Sequence, residues 1–195
     1  VLMQTRGTKS YVHIYVDHVD RLSHEYGAHN VYTQTEIATQ LRILRDLLND
    51  EAVQDGKTLV LIAADHGHHD MPQHLNVTQD ARLRALYDAM LYDFSAEARF
   101  GTFRVQSDAQ ADIIAGLHDE LGNILACVDV NSAVASGMFG SGDLHPQLRN
   151  RLGNLLLLLR LRYGLIDGQH SPRSVSRHGG LDAWEMLVPL LWRRV

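Results

Sequence analysis

Cysteine is nearly absent from this sequence, and so are long apolar runs and clusters of basic residues. The one thiol, Cys127, lies in the apolar run 125–128, so no internal disulfide framework and no cysteine-based metal cluster is expected. No apolar run approaches the roughly 18 residues of a membrane span. Arginines are scattered rather than gathered into a stripe that would neutralise a nucleic-acid backbone. We therefore expect neither a membrane protein nor a nucleic-acid-binding protein.

A secretory signal is also not visible, and this bears on the expected cellular location. The cysteine usage together with the missing signal favours the cytoplasm. The sequence begins at Val1 rather than at methionine, which predicts that the natural N-terminus lies further upstream.

The composition that remains is that of a globular domain rich in histidine. Hydrophobic residues make up 45% and charged residues 21%, the net charge is -5, and 195 residues suffice to bury a core. Histidine is the unusual component, with 12 residues. Because histidine is the commonest metal ligand, the positions of these residues decide what they indicate.

Two apolar runs are predicted to be buried strands with a helix between them. Residues 11–16 and 58–64 are short and rich in β-branched and other large apolar side chains. Residues 33–49 repeat leucine or isoleucine at spacings of four, three and four, which is the period of a helix. The order strand, helix, strand predicts a parallel pair in an α/β sheet. Residues 186–192 are a candidate for a final strand.

Each of the two predicted strands is followed by residues that commonly bind metals. Asp20 and His24 follow the first strand four positions apart, a spacing that puts both on one side of a helical turn. Asp65 and His66 follow the second strand directly and precede Gly67. In an open α/β sheet, ligands bind beyond the carboxyl ends of the strands.

A third candidate is distant in the sequence. His178 precedes Gly179 and Gly180, where the backbone can bend sharply. Taken alone, an Asp-x-x-x-His pair is usually a surface ion pair, and Asp-His-Gly or His-Gly-Gly is often only a loop. Together they make a mixed oxygen and nitrogen set that suits Zn, Mn, Fe or Co better than Mg or Ca.

Four further histidines and one aspartate are alternatives to these candidates. His68, His69 and His74 are predicted to be solvated or to lie beside the ligands rather than among them. His13 falls inside a predicted strand and is expected in its core or at its edge. Asp17 competes with Asp20, which alone has the four-residue spacing to His24.

Three segments, in order, resemble the alkaline phosphatase superfamily and, within it, the type I phosphodiesterase/nucleotide pyrophosphatase family. They are YVDHVDRLSHEYG within residues 11–29, ADHGH at residues 64–68 and RHGGL at residues 177–181. EMLVPL at residues 185–190 is a tail common in bacterial members. The resemblance implies an α/β fold that is part of an alkaline-phosphatase-like doubly wound sheet flanked by helices, with a small α+β insertion.

The resemblance also implies a role for each candidate ligand. Asp20, His24 and His178 match the ligands of one divalent metal, and Asp65 and His66 match ligands of a second. Both ions are expected to be zinc, with manganese as the alternative.

The resemblance further implies how the chain is organised. Residues 1–70 and 153–195 would form the metal-binding part of the catalytic core, and residues 71–152 an inserted helical and α+β segment. In the family the second metal also takes an aspartate and a nucleophilic threonine or serine from an N-terminal strand-loop-helix, and no stretch before residue 11 is long enough to supply it. We therefore expect a C-terminal portion, inactive alone, whose partners are the N-terminal half of the same protein, a small phosphoester substrate and, in isolation, other copies of itself.

The activity implied is hydrolysis of phosphodiester or nucleotide pyrophosphate bonds. Two metals about 4 Å apart would support phosphoryl transfer through a covalent phosphoenzyme. The alternatives are a phosphomutase, whose cap would have to lie within residues 71–152, a sulfatase-type member of the superfamily, or a non-catalytic binding module. The presence of all five ligand side chains speaks against the last.

Overall fold

A computed structural model describes residues 8–54, 56–168 and 174–195. Its helices are α1 His18–Tyr26, α2 Val31–Leu48, α3 Arg84–Ala89, α4 Gln110–Leu121, α5 Val130–Ala135, α6 Leu148–Leu152 and α7 Ala183–Met186. Its strands are β1 Leu59–Ala63, β2 His69–Asp70, β3 Gln73–Asn76, β4 Ser95–Glu97, β5 Phe100–Phe103, β6 Leu125–Asp129, β7 Leu155–Leu159, β8 Tyr163–Ile166, β9 Ser176–Arg177 and β10 Leu190–Arg194.

The core of the molecule is built around a four-stranded antiparallel sheet in the order β4-β5-β7-β6. All five leucines of β7 are buried. Side chains alternate across a strand, so Leu155, Leu157 and Leu159 join one apolar cluster while Leu156 joins a second on the opposite face. This run is apolar at every position because both faces of the strand are covered.

Helix α4 covers one face of that sheet. Its buried residues are Ile113, Leu117 and Leu121, which recur every four positions and so form one stripe. Strand β3 pairs in parallel with β8 and adds Leu75 to the same cluster.

The predicted buried strand at residues 11–16 is wrong. Tyr11, Ile14 and Tyr15 are 88%, 65% and 67% exposed, and His13 is exposed as well. A buried strand needs a hydrogen-bonded neighbour and covered faces. Within the described ranges this segment pairs with no other strand, so the parallel pair predicted with residues 58–64 does not form.

The second predicted strand is present as β1, but its partner and its burial differ from the prediction. It pairs antiparallel with β10, with Leu61 opposite Trp192. These two side chains are 64% and 71% exposed, whereas the sequence predicted a strand buried on both faces. The predicted helix between the strands is α2, of which only Thr33 is buried.

The mixture of helices and small sheets agrees with the α/β class predicted from the sequence. No helix among the described residues is long and apolar enough to cross a membrane.

Candidate metal centre

Helix α1 presents the first two candidate ligands. Asp20 and His24 lie one turn apart, with Asp20 Oδ1 3.4 Å from His24 Nε2. His24 Nδ1 lies 2.8 Å from the carbonyl oxygen of Ser176. A carbonyl only accepts hydrogen bonds, so Nδ1 carries the proton and donates. In the neutral form that metal binding requires, the lone pair of His24 would be on Nε2, which faces Asp20.

A short ladder between β2 and β9 brings the distant third candidate to the same place. His69 pairs with Arg177 and Asp70 with Ser176, and His178 follows directly. His178 Nε2 lies 3.9 Å from Asp20 Oδ1. The Gly-Gly that follows His178 includes a positive φ of 97° at Gly179, a conformation that favours glycine.

The loop after β1 supplies the two remaining candidates, and they differ in placement. The ring of His66 stacks on that of His178 with 3.5 Å between centroids, and its Nε2 lies 4.0 Å from Asp20 Oδ1. Asp65 Oδ2 lies 3.7 Å from His66 Nε2, but the side chain of Asp65 is 64% exposed. The structure thus brings His66 to the cluster and leaves Asp65 at its outer edge.

His68, predicted to be solvated or to lie beside the ligands, lies beside Asp20 and is nearly buried. Its side chain is only 9% exposed, and its Nε2 lies 2.8 Å from Asp20 Oδ1, nearer than any other imidazole. Its Nδ1 lies 3.2 Å from the hydroxyl of Ser176. The usable signal was the spacing of two from His66, because side chains two apart in an extended segment point to the same side.

The other two histidines of the segment do not reach Asp20. His69 Nε2 lies 3.8 Å from Asp182 Oδ2. His74 is half-buried on β3, and its pKa is lowered by burial and by the charge of Arg177. Neither is part of the cluster.

Burial and charge within the cluster favour the ionised carboxylate of Asp20 and the neutral forms of His68 and His178. Burial alone would raise the pKa of Asp20, but the hydrogen bond from His68 and the charges of His24, His68 and His178 lower it on balance. Burial lowers the pKa of His68, with a further contribution from its histidine neighbours. Burial and His66 lower the pKa of His178. Carboxylate and neutral imidazole are the forms that bind a metal.

This donor set fits a divalent metal. One ligand atom from each of Asp20, His24, His68 and His178 lies within 4.8 Å of the other three. Zinc accepts both imidazole nitrogen and carboxylate oxygen, so the side chains of Asp20, His24 and His178 suit it, while His68 is hydrogen-bonded to Asp20. The orientation of His24 by the Ser176 carbonyl is the kind of outer contact that accompanies metal-binding histidines.

A cleft of about 400 Å³ opens beside the cluster. It is lined by Asp65, His66 and His178 on the polar side. Apolar side chains, including those of Phe100 and Phe139, complete the lining. The cluster therefore adjoins an open cleft, with His66 and His178 in its lining.

Comparison with known families gives a match over nearly the whole chain. The sequence profile of the type I phosphodiesterase / nucleotide pyrophosphatase family matches residues 2–181. No curated protein gives a significant sequence match.

Solved structures share the fold. Murine ectonucleotide pyrophosphatase/phosphodiesterase 5 superposes with a TM-score of 0.65 at 10% identity, covering 89% of this chain and 44% of its own. The human protein gives 0.64 at 14% identity, with the same coverage of 89% and 44%. Phosphonoacetate hydrolase from Sinorhizobium meliloti gives 0.60 at 18% identity, covering 89% and 43%. The chain thus spans less than half the length of the solved structures it matches.

Proposed function

Because the chain belongs to the type I phosphodiesterase / nucleotide pyrophosphatase family, we propose that it is the metal-binding portion of a metal-dependent hydrolase of phosphodiester or nucleotide pyrophosphate bonds. One observation carries the proposal. Four imidazoles from three separate segments converge on one oxygen, Oδ1 of Asp20, at 2.8 to 4.0 Å. A surface that binds nothing gives no physical reason for four imidazoles and a carboxylate to converge.

The proposed ligands divide between two ions. Asp20, His24 and His178 would hold the first, and Asp65 and His66 would contribute to the second. Zinc is the proposed ion in both, since it accepts imidazole and carboxylate together, and manganese is the alternative. When bound, such ions neutralise charge on the phosphoryl oxygens and lower the pKa of a coordinated hydroxyl or water.

The chain's own residues would prepare the centre for this chemistry. The Ser176 carbonyl fixes the tautomer of His24. His68 donates its Nε2 proton to Asp20 and accepts at Nδ1 from the Ser176 hydroxyl, which holds the carboxylate in place. The adjoining cleft would admit the ester group of a small phosphoester.

Metal binding tests the centre directly. We expect the purified chain, dialysed against dilute zinc, to retain metal that His178→Ala loses. His118→Ala is the matched control, because the side chain of His118 is 83% exposed on α4. Absence of bound zinc in the unaltered chain would overturn the proposed centre.

Hydrolysis tests the activity in the protein that carries this chain. A chromogenic phosphodiester such as bis(4-nitrophenyl) phosphate should be cleaved with zinc present. Since loss of a ligand removes transition-state stabilisation worth several kcal/mol, His178→Ala should lower kcat/KM by at least about 100-fold. A His178→Ala protein as active as His118→Ala would contradict the proposal.

A further inference from the structure

A buried arginine lies beneath the metal centre without contacting it. Arg99, between β4 and β5, is fully buried. Its Nη1 donates to the carbonyls of Leu161 and Tyr163 at 2.8 and 2.7 Å. Its Nε and Nη2 donate to the carboxylate of Glu185, with Nη2 2.9 Å from Oε2. Nη2 also donates to Asp182. Every nitrogen of the guanidinium is thus engaged.

Glu185 in turn bonds both loops that carry site histidines. Its side-chain Oε1 accepts from the backbone N–H of Gly180, two residues after His178, at 2.8 Å. Its backbone carbonyl accepts from the N–H of Gly67, which lies between His66 and His68, also at 2.8 Å. Only 2% of Glu185 is exposed, so this one buried residue joins the two loops.

The two glycines are packed so closely that a side chain would not fit. A Cβ at Gly180 would lie 2.6 Å from Glu185 Oε2. A Cβ at Gly67 would lie 1.9 Å from the carbonyl oxygen of Trp184. The glycine after His66 and the second glycine after His178 therefore allow both loops to press against α7.

We propose that Arg99 and Glu185 are positioning residues that hold the His66–His68 loop and the His178 loop at the spacing a metal requires. The inference rests on the proposed metal centre. Arg99 neutralises and orients the Glu185 carboxylate, which would otherwise be a buried charge without a cation. The oriented carboxylate fixes Gly180, and the backbone of the same residue fixes Gly67.

Two substitutions separate this positioning role from general stability. The double variant Arg99→Met with Glu185→Met removes both charges together, so neither is left buried alone. It removes the acceptor for Gly180 N–H, and we expect zinc to bind about 10- to 100-fold more weakly, measured by competition with a chromophoric chelator. Glu185→Gln keeps an oxygen for Gly180 but turns an amide NH2 toward the Arg99 donors, so its zinc affinity should lie between that of the unaltered chain and that of the double variant.

A matched control addresses loss of stability. Leu117→Ala opens a cavity in the core beneath α4 and touches neither loop. At a temperature where all variants are folded, it should bind zinc normally. If the double variant does not fold, Arg99→Lys takes its place, because lysine keeps the charge but lacks the planar fork; a zinc affinity lowered at least about threefold is then expected.

Amide hydrogen exchange gives a readout that needs no metal. The N–H of Gly180 should exchange at least about tenfold faster in the double variant, or in Arg99→Lys if that variant replaces it. In Leu117→Ala its exchange rate should be unchanged. If the unaltered chain binds zinc, an unchanged zinc affinity in the double variant, or in its replacement Arg99→Lys, would overturn the positioning role and leave the proposed function standing. If the unaltered chain binds no zinc, the proposed metal centre is wrong. Exchange of the Gly180 N–H then tests the positioning role by itself. Faster exchange in the double variant supports that role, and unchanged exchange overturns it.

Discussion

Strands β7 and β1 are both five residues long and almost wholly aliphatic, yet their surroundings are opposite. Every residue of β7 is buried. In β1, Leu59 and Leu61 are 58% and 64% exposed. β7 is paired on both edges, by β5 and β6, whereas β1 has one described neighbour, β10. Apolar composition predicts a strand, but burial depends on what lies against it.

The exposed side chains of β1 and β10 form one surface. Alternation puts Leu59, Leu61 and Ala63 on the same face, and the antiparallel register sets Trp192 opposite Leu61 and Leu190 opposite Ala63. We call this surface the β1–β10 face. A contiguous exposed apolar surface of this kind marks an interaction site or an aggregation risk.

The largest expected effect is a difference in the free energy of unfolding between a substitution in β7 and one in β1. Leu157→Ala removes a fully buried side chain and should lower the free energy of unfolding by about 2 to 5 kcal/mol. Leu61→Ala, on the β1–β10 face, should change it by less than about 0.5 kcal/mol. Denaturant titrations of both variants measure this. Equal losses would mean that β1 is covered in solution.

A smaller effect concerns association. We expect the isolated chain to self-associate and to bind a dye specific for apolar surfaces, because the β1–β10 face is open. Leu61→Glu with Trp192→Glu should reduce both signals, as measured by sedimentation velocity and fluorescence. Leu91→Glu with Tyr92→Glu is the control, as it adds the same charges at exposed positions elsewhere. A monomeric unaltered chain without bound dye would contradict the expectation.

The smallest effect is a difference in thiol reactivity. Burial on β6 raises the pKa of Cys127 to about 12, so its thiolate is scarce at pH 8 and native modification should be slow. A Leu61→Cys probe in a Cys127→Ala background should react at least about tenfold faster with a disulfide reagent. Equal rates would show that the two strands are equally accessible.

The same burial predicts a pH dependence of stability. The folded-state pKa of Cys127 lies above its ordinary value of 9.0, so the folded state favours the protonated thiol. Its contribution to stability is therefore complete below pH 9 and is lost as the pH rises from 9 toward about 12. Cys127→Ala should lose less stability than the unaltered chain over that window in denaturant titrations.

The sequence was most informative where a short pattern carried the chemistry. The spacing of Asp20 and His24 predicted a shared helical turn, which is α1. The Gly-Gly after His178 predicted a sharp bend, and in the structure the ring of His178 stacks on that of His66. The assignment of Asp65 to a second metal stays a prediction, as does the division of the chain into a core and an insertion at residues 71–152.

The remaining features depended on contacts between distant positions. Arg99 has no local motif, and its partner Glu185 lies 86 positions away. Residues 11–16 have the composition of a buried strand but not the neighbours. Local sequence patterns indicate which secondary structure a segment favours. Tertiary contacts determine whether the segment forms it and whether it is buried.

The hydrogen bond between His24 and the Ser176 carbonyl joins positions 152 residues apart, and this has a consequence for the order of folding. Closing so long a loop costs entropy that is repaid only by the contacts formed afterwards. Contacts of high sequence separation also slow folding. We expect the leucine core to form first and the histidine cluster to assemble last. Zinc added during refolding should then alter the final kinetic phase and leave the earlier one unchanged.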